Sequence, residues 1–397
     1  MRYVAAVTCI FVIGILLRLV FLAVPSYETE FDEGYYLRYA VYLAQGKNAS
    51  IAGLFDDYIR NTGLHTFPNP LRVGYTIPAG WWLKLFNRFD FKTLACFSSF
   101  FSVCSLFMGY IFTLRLFDKR IALLSLILFI SSPINLALSR RALQDSMVYF
   151  FTITTILLFY EAVNNRKLLS KILFMLSFFI VIAVKETSLL LLVFFAAYML
   201  LEKNLFNKKL DMIPLLSAIF VALAGVLFLY INISGGADKI FQIFKIILSS
   251  PLSNEYAIKY QSGHLLQYLV DFLLLSPATL IISLSFMVLY VKNRDFRDKH
   301  ILYTVTFFIA YYLAFNLFTK NVRYVMGLDL PIRVLTAISV YTACGGFKKR
   351  RVPAALLLVL IIALADILIF YHIFISRNVY DPVTNNLALA WKTWSSI

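Results

Sequence analysis

"YVAAVTCIFVIGILLRLVFLAVPSYETEFDEGYY", residues 3–36, passes from oil to acid within a few positions. Residues 3–24 are largely apolar, with Arg18 their one charge, and a run of roughly twenty such residues crosses about 30 Å of hydrocarbon. The run is long for a secretory leader and has no small-x-small cleavage site, so it reads as a retained span. Glu28, Glu30, Asp32 and Glu33 follow where that span leaves the bilayer.

The rest of the chain repeats the apolar theme. It has 397 residues, 61% hydrophobic and 15% charged, with mean hydropathy +0.79. That composition describes a polytopic membrane protein. The net charge of +16 does not point to nucleic acid, because the Lys and Arg fall in short clusters between apolar runs. Apolar windows near 3–24, 93–114, 121–138, 147–163, 169–184, 187–201, 212–232, 265–291, 301–318, 325–343 and 353–376 predict an all-α fold of about 11 transmembrane helices. Two shorter helical patterns, 33–45 and 73–86, predict interfacial helices in the first outer loop, 25–91. A third, at 237–250, lies in a later outer loop, 233–264.

Orientation follows from charge. A cytoplasmic N-terminus puts the basic stretches 115–120, 164–171, 202–209, 292–300 and 347–351 in the cytoplasm, as the positive-inside rule requires. The acidic stretch then faces outward, together with 139–146, 185–188 and 319–324. A multi-pass plasma membrane protein, its functional face periplasmic or extracellular, is the expectation.

On that face Asp32 and Glu33 have two readings. Acids in a first helical turn favour the macrodipole, and a carboxylate at a membrane surface is also a potential general base; position does not decide. Arg140, Arg141, Lys185, Lys320 and Arg323 sit where spans meet the outer surface, against the usual bias. Each alone fits a snorkelling residue, and together they fit an anion site of phosphate type. Asp145 and Glu186 stand at outer helix starts, where capping is the default. Within the spans, Arg18, Asp329 and Arg333 are pocket candidates, although the last two are four apart and fit an i,i+4 pair equally well. His65, His264, His300 and His372, like Cys9, Cys96, Cys104 and Cys344, lack metal-ligand spacing, so no metal and no cofactor is expected. Phosphate-cradling glycine loops and Ser/His/Asp signatures do not occur either.

These residues carry a resemblance. "FDEGYYLRYAVYLAQG" (31–46) resembles the first-loop Asp-Glu motif of the protein O-mannosyltransferases and the bacterial lipid A aminoarabinose transferases, within the GT-C superfamily of glycosyltransferases. "NPLRVGYTIPAGWWLKLF" (69–86), "SRRALQDSMVYFF" (139–151), "KETSLLLL" (185–192) and "RYVMGLDLP" (323–331) are similar to further family segments in matching order. The resemblance implies transfer of a monosaccharide from a polyprenyl-phosphate donor to the hydroxyl of an acceptor lipid, glycan or protein, with inversion and without a metal. It implies Asp32 as base, Glu33 as its support or as acceptor ligand, Asp145 in the acidic pocket, and Arg140, Lys185, Arg323 and Tyr324 at the donor phosphate. Arg18, Arg141 and Arg72 are further candidates; Asp329 and Arg333 depart from the family pattern and would tune sugar choice.

The implied organisation is an N-terminal GT-C module at 1–232, the loop 233–264 with a lid-like segment, a variable module at 265–376 and a short outer tail at 377–397. The short tail argues against an outer soluble domain, and so against a protein acceptor. A transporter or lipid flippase is the alternative, and it would require inverted repeats and paired broken helices; a polysaccharide polymerase would require a large late outer loop, whereas the longest here is first.

Overall fold

Backbone groups in hydrocarbon have to be satisfied within their own segment, and a helix does this. The computed structural model describes residues 2–22, 31–46, 50–165, 167–206, 212–293 and 298–392, and its ordered elements among them are helical. Glu28 and Glu30 lie outside the described residues.

The first span is α1 (Arg2–Leu22). Its Leu16, Leu19 and Val20 are more than half exposed, as expected of a face that lipid covers. Next come α2 (Asp32–Gln45), α3 (Ile51–Arg60) and α4 (Val73–Phe86), so both interfacial patterns of the first loop are helical. Gly74 permits a close contact: a Cβ there would lie 2.6 Å from the backbone of Ala183 and Val184. This seats α4 beside the segment that leads to Lys185.

Long apolar helices follow as α5 (Phe91–Leu116), then α6 (Lys119–Ile130) and α7 (Pro133–Ser139). Asp118 caps α6 by accepting from Arg120 N and Ile121 N. The expected span 121–138 is bent by 55° between α6 and α7, because Pro133 cannot donate into a continuing helix and Ser132 starts a new one by capping Asn135 N. Then come α8 (Asp145–Asn164), α9 (Leu168–Val184), a 3-10 turn at Glu186–Leu190, α10 (Leu191–Phe206) and α11 (Met212–Ser234). Phe159, Phe174, Phe195 and Tyr198 pack ring on ring among α8, α9 and α10, and Tyr303 joins them from a later helix.

The loop 233–264 folds into α12 (Ala237–Ser253) and α13 (Glu255–Tyr260). Ile240 and Ile243 of α12 are buried, whereas Phe241 and Leu248 are exposed. The expected span 265–291 is two helices, α14 (Gln267–Leu275) and α15 (Pro277–Lys292), because Ser276 leaves helical geometry and Pro277 begins the second. The described residues continue with α16 (Lys299–Phe315), α17 (Asp329–Ala343), α18 (Arg351–Phe370), a π-helical turn at Tyr371–Ser376, and α19 (Thr384–Lys392).

Among the described residues, 7 helices are long and apolar enough to cross a membrane, or 8 with the bent pair α6–α7; α9, α15 and α16 are shorter apolar helices. The count expected from hydropathy is thus not reached by length and composition. Windows of apolar residues register composition, whereas the turns at Ser132–Pro133 and Ser276–Pro277 divide two of the expected spans, and α9 and α16 have 17 residues each.

Candidate active site

Segments far apart in sequence meet at the start of α2. Asp32 opens that helix, and its Oδ2 accepts from Arg323 Nη2 at 3.1 Å. The Asp32 side chain is 31% exposed against 10% for Arg323, so a reachable carboxylate abuts a largely buried cation. Glu33 is fully buried, and its Oε1 accepts from Ala142 N at 2.7 Å. It ties the first turn of α2 to the turn that precedes α8.

Asp145 opens α8, where its Oδ1 accepts from Lys185 Nζ at 3.1 Å. That ammonium also stands 4.7 Å from the ring centroid of Tyr324. Arg72 grips Glu186 with two nitrogens, Nε to Oε2 at 3.2 Å and Nη2 to Oε1 at 3.0 Å, while Asn69 Nδ2 donates to Oε1 at 2.9 Å. The remaining Arg72 nitrogen, Nη1, donates to Tyr36 Oη at 2.5 Å. Arg140 and Arg141 are both buried in the turn before α8, and the Arg141 guanidinium lies 4.0 Å from the ring centroid of Tyr380.

The tail closes this site. Asp381 Oδ1 lies 3.7 Å from Arg323 Nε and accepts from Asn321 Nδ2 at 2.7 Å, and Asp381 Oδ2 accepts from Tyr256 Oη at 2.6 Å. Tyr256 belongs to α13, so the loop 233–264 reaches the site through this hydroxyl.

Burial works on Arg72, Arg141 and Arg323, and the balance with neighbouring charge sets the outcome for each. For Arg323 burial favours the neutral form, but Asp381, Asp32 and Asp145 outweigh it and hold the guanidinium well above its ordinary pKa. For Arg72 burial is likewise overcome, by Glu186 and Tyr36, and its pKa is also raised. At Arg141 burial prevails and lowers the pKa, with Glu33 opposing the shift and Arg323 adding to it. Burial lifts the Tyr324 phenol to about 12, against the pull of Arg323.

The expected residues thus divide. Asp32, Glu33, Arg72, Arg141, Asp145, Lys185, Arg323 and Tyr324 share this network. Arg18, Asp329 and Arg333 are held elsewhere, in buried clusters of their own. Arg18 donates to Gly14 O, Ser102 Oγ and Asn135 Oδ1, which knits α1 to α5 and α7. Arg333 pairs with Asp329 at 2.7 Å and with Asp366 of α18 at 2.8 Å. It also donates to Leu128 O near the α6 bend and to Ser276 Oγ at the α14–α15 break. The i,i+4 pair read from the sequence is present, and its guanidinium braces both broken helices.

Sequence reasoning missed Asp381, Tyr380, Asn321 and Tyr256, and treated Glu186 as a helix start. The one available signal was the "YDP" turn at 380–382, an acid and an aromatic beside a proline.

The all-helical fold is that of the GT-C superfamily. A family model described as dolichyl-phosphate-mannose-protein mannosyltransferase matches residues 8–234, more than half of the 397. The chain belongs to that family. No match is found among curated protein sequences.

Solved structures share the fold at low identity. The Archaeoglobus fulgidus oligosaccharyltransferase in complex with Zn and sulfate is similar with TM-score 0.58 and 16% identity, over 90% of this chain and 52% of that one. The same organism's oligosaccharyltransferase AglB with an inhibitory peptide and a dolichol-phosphate has TM-score 0.58 and 13% identity, over 94% and 55%. ArnT from Cupriavidus metallidurans bound to undecaprenyl phosphate has TM-score 0.55 and 10% identity, over 97% and 74%. The chain spans about half the length of the oligosaccharyltransferase, 52%.

Proposed function

We propose that this glycosyltransferase moves a monosaccharide from a polyprenyl-phosphate donor to an acceptor hydroxyl at the outer face of the membrane. The observation that carries the reading is the contact of the part-exposed Asp32 with the buried Arg323, which joins a base to a phosphate-binding cation. In the step, the acceptor oxygen bonds to the anomeric carbon while its proton passes to the Asp32 carboxylate. The bond from that carbon to the phosphate oxygen breaks, and its electron pair leaves on the phosphate. Arg140, Lys185 and Arg323, with Arg141 beside Arg140, meet the charge that develops there. A single displacement inverts the anomeric centre. Arg72 and Glu186 position the wall beside Tyr36, and Glu33 supports the base by fixing the first turn of α2.

The dolichol-phosphate and undecaprenyl phosphate of the AglB and ArnT structures support a polyprenyl carrier. The basic segments 115–120, 164–171, 202–209, 292–300 and 347–351 support a cytoplasmic N-terminus and an outward site. We read 1–232 as the catalytic module and α12 as a lid over the donor, tied to α3 by the Lys239–Asp56 pair at 2.5 Å. A transporter would need its broken helices to line a substrate path; here Arg333 fills both breaks.

The test is sugar transfer in liposomes from a panel of radiolabelled polyprenyl-phosphate monosaccharides to a membrane extract. Turnover of at least one donor is expected. Solute or lipid flux with no turnover of any donor would contradict the reading.

A further inference from the structure

Buried polar atoms without partners are uncommon and call for an explanation. Among the described residues, Arg323 Nε, Arg141 Nη1 and Tyr380 Oη are buried donors with no hydrogen-bond partner. Two of these side chains touch, Arg141 stacking on the Tyr380 ring; Arg323 faces Asp381, the residue after Tyr380, and its charge acts on both Arg141 and Tyr380.

Each side chain is fixed by its other contacts. Arg141 Nη2 donates to Val379 O at 3.2 Å, and Arg323 Nη2 is held by Asp32. The Tyr380 ring lies 5.5 Å from that of Phe31, centroid to centroid. Asp381 has both oxygens engaged, one by Asn321 and one by Tyr256. It therefore stands 3.7 Å from Arg323 Nε, beyond hydrogen-bond distance. The carboxylate aligns the guanidinium and leaves its Nε–H open.

A tetrahedral oxyanion is what three fixed, open donors on two guanidiniums and a phenol would receive, since its oxygens accept from several directions at once. We propose that the tail completes the donor-phosphate site, with Tyr380 Oη, Arg141 Nη1 and Arg323 Nε as donors to the phosphate oxygens and Asp381 as the positioning residue of Arg323. This rests on the polyprenyl-phosphate reading above and extends it to a segment beyond the family match, which ends at residue 234. The tail is built to hold this place: Val383 N and Asn386 Nδ2 both donate to Asp381 O, and Trp391 Nε1 anchors α19 to Leu274 O.

The test uses the full chain in detergent or nanodiscs and compares binding of undecaprenyl phosphate, dolichyl phosphate and the unphosphorylated alcohol undecaprenol. Tyr380→Phe removes one hydroxyl and keeps the ring on Arg141. It is expected to weaken binding of the phosphorylated lipids about tenfold, as for a hydrogen bond to a charged group, and to leave undecaprenol unchanged. Asp381→Asn is expected to weaken phosphate binding as well, raising the donor KM more than it lowers kcat. Equal loss for phosphate and alcohol, or no change for either, would overturn the role of Tyr380. Tighter phosphate binding by Asp381→Asn would overturn its positioning role and make Asp381 a competitor for Arg323. If the wild-type chain bound neither phosphorylated lipid, the donor reading itself would fail along with this one; wild-type binding indifferent to both substitutions would overturn only the role of the tail.

Discussion

Asp32 and Arg323 stand 291 positions apart in sequence and 3.1 Å apart across an ion pair. The pair links the helix that follows the first span to the loop before α17, and it sets the reachable carboxylate against the cations expected to hold phosphate. Charge of both signs in one water-poor neighbourhood is costly unless each member is partnered. Lys185 with Asp145 and Arg72 with Glu186 meet the same demand.

Lys185 separates a phosphate ligand from a structural partner. Lys185→Met is expected to lower kcat/KM about 10²–10³-fold, as for loss of a donor that meets developing charge, and to destabilise the fold by leaving Asp145 unpaired. Adding Asp145→Asn is expected to restore the thermal midpoint but not transfer. Recovery of both would make Lys185 a structural residue only.

Gly74 tests how tightly α4 sets the site. Gly74→Ala drives a methyl into the backbone at Ala183–Val184, and an overpacked contact of this kind costs about 1–3 kcal/mol. Thermal unfolding is expected to fall, with transfer impaired through displacement of Lys185. Gly346→Ala, where a Cβ would meet nothing within 4 Å, is the control and is expected to be neutral.

Arg333 tests the buried cluster. Arg333→Met leaves Asp329 and Asp366 facing each other without a cation, and breaking such a pair costs about 3–5 kcal/mol. Combining it with Asp329→Asn and Asp366→Asn is expected to recover most of that loss in a detergent melt. Donor preference, measured where the variants remain folded, is expected to match wild type; a changed preference would return Arg333 to the role of tuning sugar choice.

Long-range chemistry was legible where the residue types were unusual for their place. Arg140, Arg141, Lys185, Lys320 and Arg323 stand out because cations are unexpected at those ends of spans; the structure brings Arg141, Lys185 and Arg323 to one network with Arg140 buried beside Arg141, whereas Lys320 donates to Asn316 O and Phe318 O and faces the Tyr268 ring. The same reasoning drew in Arg18, because an intramembrane charge looks functional whether it lines a site or satisfies Ser102 and Asn135 within the bundle. Hydropathy located α1, α8 and α11 but not the turns at Ser132 and Ser276, since a bend changes hydrogen bonding without changing composition. Asp381 was not legible: a lone acid in a polar tail has no periodicity, and only the path of α18 and α19 returns it to Arg323.

The most direct measurement is the rate of sugar transfer by Asp32→Asn at saturating donor, with undecaprenyl phosphate binding measured on the same preparation. Loss of a positioned general base is expected to slow transfer about 10²–10⁴-fold while the phosphate still binds. Transfer near the wild-type rate, with binding retained, would contradict the assignment of Asp32 as the base.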